Sequence, residues 1–592
     1  MNVSEYIAEF FVKKGIKDIF LIDGAACASM IVGVAKNKNL NYYCPHHEQA
    51  GAFAIDGYVK ASGSPSVMIA TSGPAGQNLI NGIAASWYDS VPAIYLTGNI
   101  NSRFMKPSNE IRQHGFQEND IVSMVSTVTK YAAVVMRAEH IEYELEKAYQ
   151  LAVSGRPGPV LLDIPMDVQK MELGSGKLLT YNENYKMVPV KENLQGYAVK
   201  LKEMIKKSER PVFLLGGGIT ISKANNVVKK LIKDLKIPYF VTWNMIDFDA
   251  YNNPYFGGKV GTYGGEGRNF GIQNCDLLIG LGTRISGRIT GGMMDTFARG
   301  AKKVLIDIDQ EDMKWQQIKA DMNIVSNLSD FVPILNDVCS ELELDYSDWV
   351  KKVLVWKEKY GVMCDEYYDS ENVNPYVFMK ILCEKMSEGD VLVHEAGGNA
   401  VITSQSFKGK KNQKVFSNHG NSSLGYALPA AVGAAIATKK PVLCITGDGG
   451  LNFNIQEFQT IKHYKLPVKV LIFNNYAYGI TKSYRDTNFD SEYAGCDADH
   501  GLESPNFIDV AISYGLKTVK INNHKELELK LDEVINSKEA IVCDIDMNGF
   551  YDYLPKIGWK NPIEDMYPFL DRDEFRSNMI IPPLEGWEKP EL

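Results

Sequence analysis

The sequence predicts an α/β protein of three doubly wound, parallel-sheet domains followed by a C-terminal tail, and three observations carry that reading. The chain has 592 residues, several times the size at which one hydrophobic core stops growing. Short apolar runs that end in glycine-containing turns and feed helical patterns recur along it, as parallel βα units require. These runs fall into three groups separated by polar or helix-rich stretches.

In the first group, residues 18–22, 66–71 and 93–97 read as strands leading into Gly24, Gly73 and Gly98, and 160–164 closes the group before Pro165. Residues 172–197 are polar, with Gly174, Ser175, Gly176 and Asn182 to Asn184, and read as a linker. The second group has strands at 211–215 before Gly216-Gly217-Gly218, at 239–242, at 277–281 before Gly282, and at 304–308 before Asp309. A helix-rich stretch, 330–369, bridges to strands at 391–394, 415–417, 442–446, 468–473 and 540–545. Beyond Asn548 the prolines at 555, 562, 568, 582 and 583 predict an irregular tail. The expected divisions are 1–171, 198–345, 370–547 and a tail of 548–592.

Composition narrows the function. With 45% hydrophobic and 23% charged residues the chain is globular. A net charge of −9 without a clustered basic face excludes sequence-independent binding of nucleic acid. The first twenty residues carry Glu5, Glu9, Lys13, Lys14 and Lys17 at helical spacing, which predicts an amphipathic helix rather than a leader. No apolar run is long enough to span a bilayer. Nine scattered cysteines with no CxxC pair fit reduced thiols in the cytoplasm.

Chemistry concentrates in a few segments. One buried strand ends in Gly447-Asp448-Gly449-Gly450, and the next ends in Asn474-Asn475 and continues through Ala477, Tyr478, Gly479 and Ile480. A carboxylate and an amide oxygen suit a hard divalent ion, and glycines let backbone N–H groups approach a diphosphate. Taken alone, a GDG turn is a common tight βα turn. The second segment is His46-His47-Glu48-Gln49-Ala50 at the head of a helix through Ala54, Gly57, Tyr58 and Ala61 to Gly63. Alone, it reads as a solvated helix start. The third is 421–431, with Leu424 before Gly425. Gly115-Phe116-Gln117-Glu118-Asn119-Asp120 and Thr129-Lys130-Tyr131 lie in the first group.

In this order, and over roughly residues 1–547, these motifs resemble those of thiamine-diphosphate enzymes of the acetolactate synthase-like family. The resemblance implies that the first domain binds the aminopyrimidine, the third binds the diphosphate, and the second is a central domain. It implies Glu48, Gln117 and Phe116 as catalytic residues, with Glu48 bonding the aminopyrimidine ring as the activating acid. It implies cofactor contacts from Gly24, Ala25, Glu48, Gly397, Gly398, Asn399, Leu424, Gly447, Asp448, Gly449, Gly450, Asn475, Ala477, Tyr478, Gly479 and Ile480. Asp448, Asn475 and Ala477 would hold Mg²⁺, and Leu424 would wedge the cofactor.

The implied activity is decarboxylation of a 2-oxo acid, pyruvate foremost, with transfer of the acyl carbanion to a carbonyl acceptor. The alternative is a simple 2-oxo-acid decarboxylase or 2-hydroxyacyl-CoA lyase on the same cofactor. The family's sites lie at subunit interfaces, so a homodimer or homotetramer is implied. Gly282-Thr283-Arg284-Ile285-Ser286-Gly287-Arg288 and Asp307 to Asp309 resemble only in part the family's FAD-binding region, and FAD stays open. Departures at 23–28, at Gly397-Gly398-Asn399 and at Tyr484 cluster at the substrate end. Together with His46-His47 and residues 562–568, they are similar to relatives linked to surface-sugar biosynthesis, so the acceptor need not be a second pyruvate.

Overall fold

The structure, a computed structural model, describes residues 1–108, 110–174, 178–181 and 193–590. Ser175, Gly176 and residues 182–184 of the expected linker lie outside the described residues. Eighteen strands form three six-stranded sheets.

The first sheet contains β1 (Asp18–Leu21), β2 (Asn41–Tyr43), β3 (Ser66–Ala70), β4 (Ala93–Asn99), β5 (Tyr131–Val134) and β6 (Val160–Pro165). The second contains β7 (Pro211–Leu215), β8 (Tyr239–Val241), β9 (Phe256–Lys259), β10 (Leu277–Leu281), β11 (Lys302–Asp307) and β12 (Met322–Val325). The third contains β13 (Val391–His394), β14 (Lys414–Phe416), β15 (Val442–Gly447), β16 (Val468–Asn474), β17 (Lys517–Ile521) and β18 (Ile541–Asp546).

Every pairing is parallel, for example Ile19 with Val67 in the first sheet and Thr446 with Ile472 in the third. The central strands are buried on both faces, which is why they read as unbroken apolar runs. Five strands escaped the sequence reading: β2, β5, β9, β12 and β17. All five lie at sheet edges, and four of them are partly exposed, so their apolar runs are broken. The fifth, β9, is buried but carries Gly257 and Gly258, which weaken its strand signature.

The order β2-β1-β3-β4-β6-β5 of the first sheet recurs exactly in the third as β14-β13-β15-β16-β18-β17, whereas the second runs β12-β11-β10-β7-β8-β9. The first and third domains are thus two copies of one winding, and they pack through equivalent helices. Helix Glu48–Ser62 follows β2 and helix Ala427–Thr438 follows β14. Where they cross, a Cβ on Gly57 would stand 2.2 Å from the Ala430 carbonyl oxygen, and one on Gly433 would stand 1.8 Å from that of Ala54. Glycine on both helices lets the backbones touch. The apolar side of the Glu48 helix thus has its partner inside the chain.

The loops preceding these helices dock reciprocally. The Cys44 and His46 N–H groups donate to Tyr464 and Glu457 of the third domain at 2.8 and 2.9 Å. Gly420 N–H and the Asn418 amide donate to Asp89 of the first domain at 2.8 and 3.1 Å. Lys60 joins that side, 2.8 Å from Asp56 and 2.7 Å from Asp89. The tail is irregular apart from helix Arg572–Asn578, but it is not loose: Asn269 and Arg268 of the second domain donate to the Ile563 and Met566 carbonyls, each at 2.9 Å. Among the described residues no helix is long and apolar enough to cross a membrane.

Candidate active site

The third domain gathers most of the residues singled out from the sequence at the carboxyl ends of β13, β15 and β16. Asp448 follows β15 and is 3% exposed. Burial pushes its carboxyl up to about 7 against the backbone N–H groups of Gly449 and Ala477, which donate to it. A carboxylate buried in this way is costly unless a cation compensates it. Asn475 follows β16 and donates its side-chain nitrogen to the Phe550 carbonyl at 2.7 Å.

Around these two groups the glycines let neighbouring side chains pack closely against the backbone. A Cβ on Gly447 would meet Asn399 at 2.7 Å, one on Gly449 the Tyr478 ring at 2.1 Å, and one on Gly450 Glu395 at 2.8 Å. A Cβ on Gly479 would stand 2.4 Å from the Asn475 amide nitrogen. Gly397, at φ +71°, faces Ile480. The sequence-predicted residues 397–399, 447–450 and 475–480 thus form one cradle. Leu424 is half-buried in the loop that Gly425, at φ +80°, turns against Phe453 and Asn454.

The first domain holds the others. Glu48 opens its helix, with His47 as the cap accepting from Gln49 N–H, and accepts a hydrogen bond from the Asn78 amide at 3.0 Å. Gly24 lies against Thr71, and Ala25 beside it is exposed. Gln117 sits in the left-handed region at φ +59°, its carbonyl 2.9 Å from where a Cβ on Gly73 would be. Glu118 holds that loop: burial raises its pKa, but the N–H groups of Lys106, His114 and Gly115 outweigh it and keep the carboxyl below its usual range. Phe116 is 85% exposed.

Sequence reasoning missed Asn78, Thr71, Glu395 and the tail tyrosines. Glu395 was findable, because a charged residue at the end of an apolar strand invites a partner. It is buried and accepts from Ala396 and Ala427 N–H groups at 2.9 and 3.2 Å. Asn78 and Thr71 carry no local signal.

Two domains of one winding joined through a third, with the glycine-rich strand ends and the buried acid gathered on one of them, are the arrangement the sequence reading expected. The thiamine pyrophosphate enzyme N-terminal, central and C-terminal domain families match residues 1–124, 199–335 and 395–545. A probable acetolactate synthase large subunit of Methanocaldococcus jannaschii is 33% identical over 565 residues, 92% of each chain. The large subunit of Cyanidium caldarium is 30% identical, covering 91% of this chain and 92% of its own. Isozyme 2 of Escherichia coli K12 is 28% identical, covering 94% and 97%. The chain belongs to the acetolactate synthase large subunit family and is a thiamine-diphosphate-dependent enzyme of that type.

Proposed function

We propose that the protein decarboxylates a 2-oxo acid, pyruvate foremost, and transfers the acyl group to a carbonyl acceptor. The observation that carries this is the buried Asp448, which follows one strand end while Asn475 follows the next, among glycines that bring the surrounding backbone and side chains close. Thiamine diphosphate, when bound, supplies the electron sink for decarboxylation. The chain's residues do the rest. Glu48, held by Asn78, keeps and returns a proton at the aminopyrimidine nitrogen. Asp448, the Asn475 amide oxygen and the Ala477 carbonyl would hold Mg²⁺. Leu424 would support the bound cofactor, and Gln117 with Phe116 would serve the substrate.

Among the described residues no group of three or more His, Cys, Asp or Glu could hold a metal by itself. A bound Mg²⁺ would usually share phosphate oxygens with its protein ligands, so metal and cofactor would be expected to bind together. Glu48 and Asp448 stand in different domains with separate partners, which supports a homodimer or homotetramer whose sites pair one chain's first domain with the other's third. Co-expressed Glu48→Gln and Asp448→Ala chains should then regain activity that neither has alone, and silent heterodimers would refute the sharing.

Flavin stays open in this reading. At the carboxyl edge of the second sheet, where such folds take ligands, the Trp243 ring packs on His419 with centroids 5.6 Å apart and lies 6.5 Å from Tyr263. The Arg288 guanidinium lies 6.0 Å from the Trp243 ring centroid. A yellow purified protein would show that flavin is bound. The nine unpaired cysteines support a reducing, cytoplasmic compartment, and the net charge of −9 supports small-molecule partners over nucleic acid.

Phe116 and Tyr484 are 85% and 53% exposed in the single chain, and the departures at Gly397-Gly398-Asn399 and Tyr484 support an acceptor other than a second pyruvate. Mass spectrometry of products from pyruvate with a panel of aldehydes, ketones and keto-sugars is the test. Cross-products support the proposal, and acetaldehyde alone would support a simple decarboxylase instead.

A further inference from the structure

The tail does not leave the third domain when β18 ends at Asp546; it turns back across the cradle. The first contact is the bond from the Asn475 amide nitrogen to the Phe550 carbonyl. An amide that donates through its nitrogen has its oxygen on the opposite branch, so the tail sets which atom Asn475 offers elsewhere. The second contact is Tyr553, 3% exposed, with its ring edge-on to Phe550 at 5.7 Å between centroids.

The Tyr553 hydroxyl lies 2.2 Å from where a Cβ on Gly398 would be and 2.7 Å from where one on Gly479 would be. These glycines are the first residues of helices Gly398–Ser406 and Gly479–Asn488. Two helix starts therefore converge on one phenol. The unpaired N–H groups of a helix's first turn, with its dipole, favour an anion there, and both glycines belong to the cradle already described. The segment cannot drift from this position. The Gln405 amide donates to the Pro555 carbonyl at 2.9 Å, Lys556 exchanges backbone bonds with Tyr567 at 2.9 and 2.7 Å, and Glu564 pairs with Arg299 at 2.7 Å.

We propose that Tyr553 is a further diphosphate-binding residue: its hydroxyl donates to the anion at the two helix starts, while the Phe550 carbonyl orients Asn475 for the metal. This rests on the thiamine-diphosphate reading of the cradle. It makes the tail part of the cofactor site, although no motif in the sequence pointed to it.

The test is Tyr553→Phe in the full-length protein, which keeps the ring and removes the hydroxyl. Dissociation constants are measured by calorimetry for thiamine diphosphate and for inorganic pyrophosphate, each with Mg²⁺, alongside Asp448→Ala. Loss of one hydrogen bond to a charged group should weaken both ligands by about tenfold or more, with the melting temperature of the cofactor-free protein unchanged. If Tyr553→Phe binds within twofold of wild type, or more tightly, while Asp448→Ala binds neither ligand, Tyr553 is not a ligand and the cradle reading stands. A cofactor-free protein that melts well below wild type would show that the hydroxyl serves folding, which also overturns the proposal. If Asp448→Ala binds thiamine diphosphate as wild type does, the cradle reading itself falls and this inference falls with it.

Discussion

In the first domain the helix after the second strand opens on Glu48; in the third, the helix in the same place opens on Ala427. In the third domain the third strand runs into Asp448; in the first, its counterpart runs into Thr71 and Gly73. The strand order is identical, yet each copy carries its acid where the other has a small or neutral residue. The winding thus fixes where a functional group can stand, and the residue at each strand or helix end decides what it does. In the proposed function, one copy's acid trades a proton and the other's holds a cation.

The largest effects should come from those two acids and should differ in kind. Asp448→Ala should abolish the rise in melting temperature that thiamine diphosphate with Mg²⁺ gives the wild type, because the metal loses its charged ligand. Glu48→Gln should keep that rise and lose at least a hundredfold in turnover, with exchange of the thiazolium C2 proton slowed to match. If both variants lose cofactor binding equally, the division of labour is wrong.

Next is the asymmetry of the docking loops. Asp89 is met by Lys60, which also pairs with Asp56 and donates to the Ser417 carbonyl at 2.9 Å. Removing one member of such a buried network leaves charges uncompensated, so Lys60→Met should cost about 3–5 kcal/mol in chemical unfolding. A loss below about 1 kcal/mol would show that water already screens the pair. The glycine crossing comes third: Gly433→Ala should cost about 1–3 kcal/mol, since the new methyl meets the Ala54 carbonyl rather than a yielding side chain.

The smallest effect concerns Glu457, the acid opposite Asp89 in the pseudo-symmetric contact. Burial pushes its carboxyl up to about 7, against hydrogen bonds from Thr460, His46 and His47. A carboxyl whose folded pKa is raised contributes most stability below its unfolded value near 4.5 and loses it as pH climbs to about 7. Glu457→Gln should therefore gain on wild type by about 1–2 kcal/mol between pH 5 and pH 8. Parallel stability profiles would show that Glu457 does not titrate in that window.

The buried strands, the Glu48 helix with Gly63 as its left-handed end, and the cradle were legible because each leaves a local mark: an apolar run, a cap, a glycine after a strand. What escaped depends on contacts between distant residues. The edge strands have one covered side and so no continuous apolar run. Asn78 reaches Glu48 from the neighbouring helix, and Tyr553 meets Gly398 and Gly479 only because the tail doubles back. An irregular tail was expected and found, but its proline-rich sequence gave no hint that Ile563, Met566 and Phe575 would be buried.

The reciprocal contact of Gly57 with Ala430 and Gly433 with Ala54 has the form of an isologous interface, in which residue i touches j and j touches i. Within one chain, then, lies the geometry of a symmetric dimer whose halves are joined covalently through the second domain. Joining removes the entropic cost of finding the partner and also frees the halves from identity. A mutation in a true homodimer appears twice across the axis, whereas here it appears once. That freedom is what allows a lysine to serve one docking loop and not the other, and an acid to stand at a helix start in one half and at a strand end in its twin.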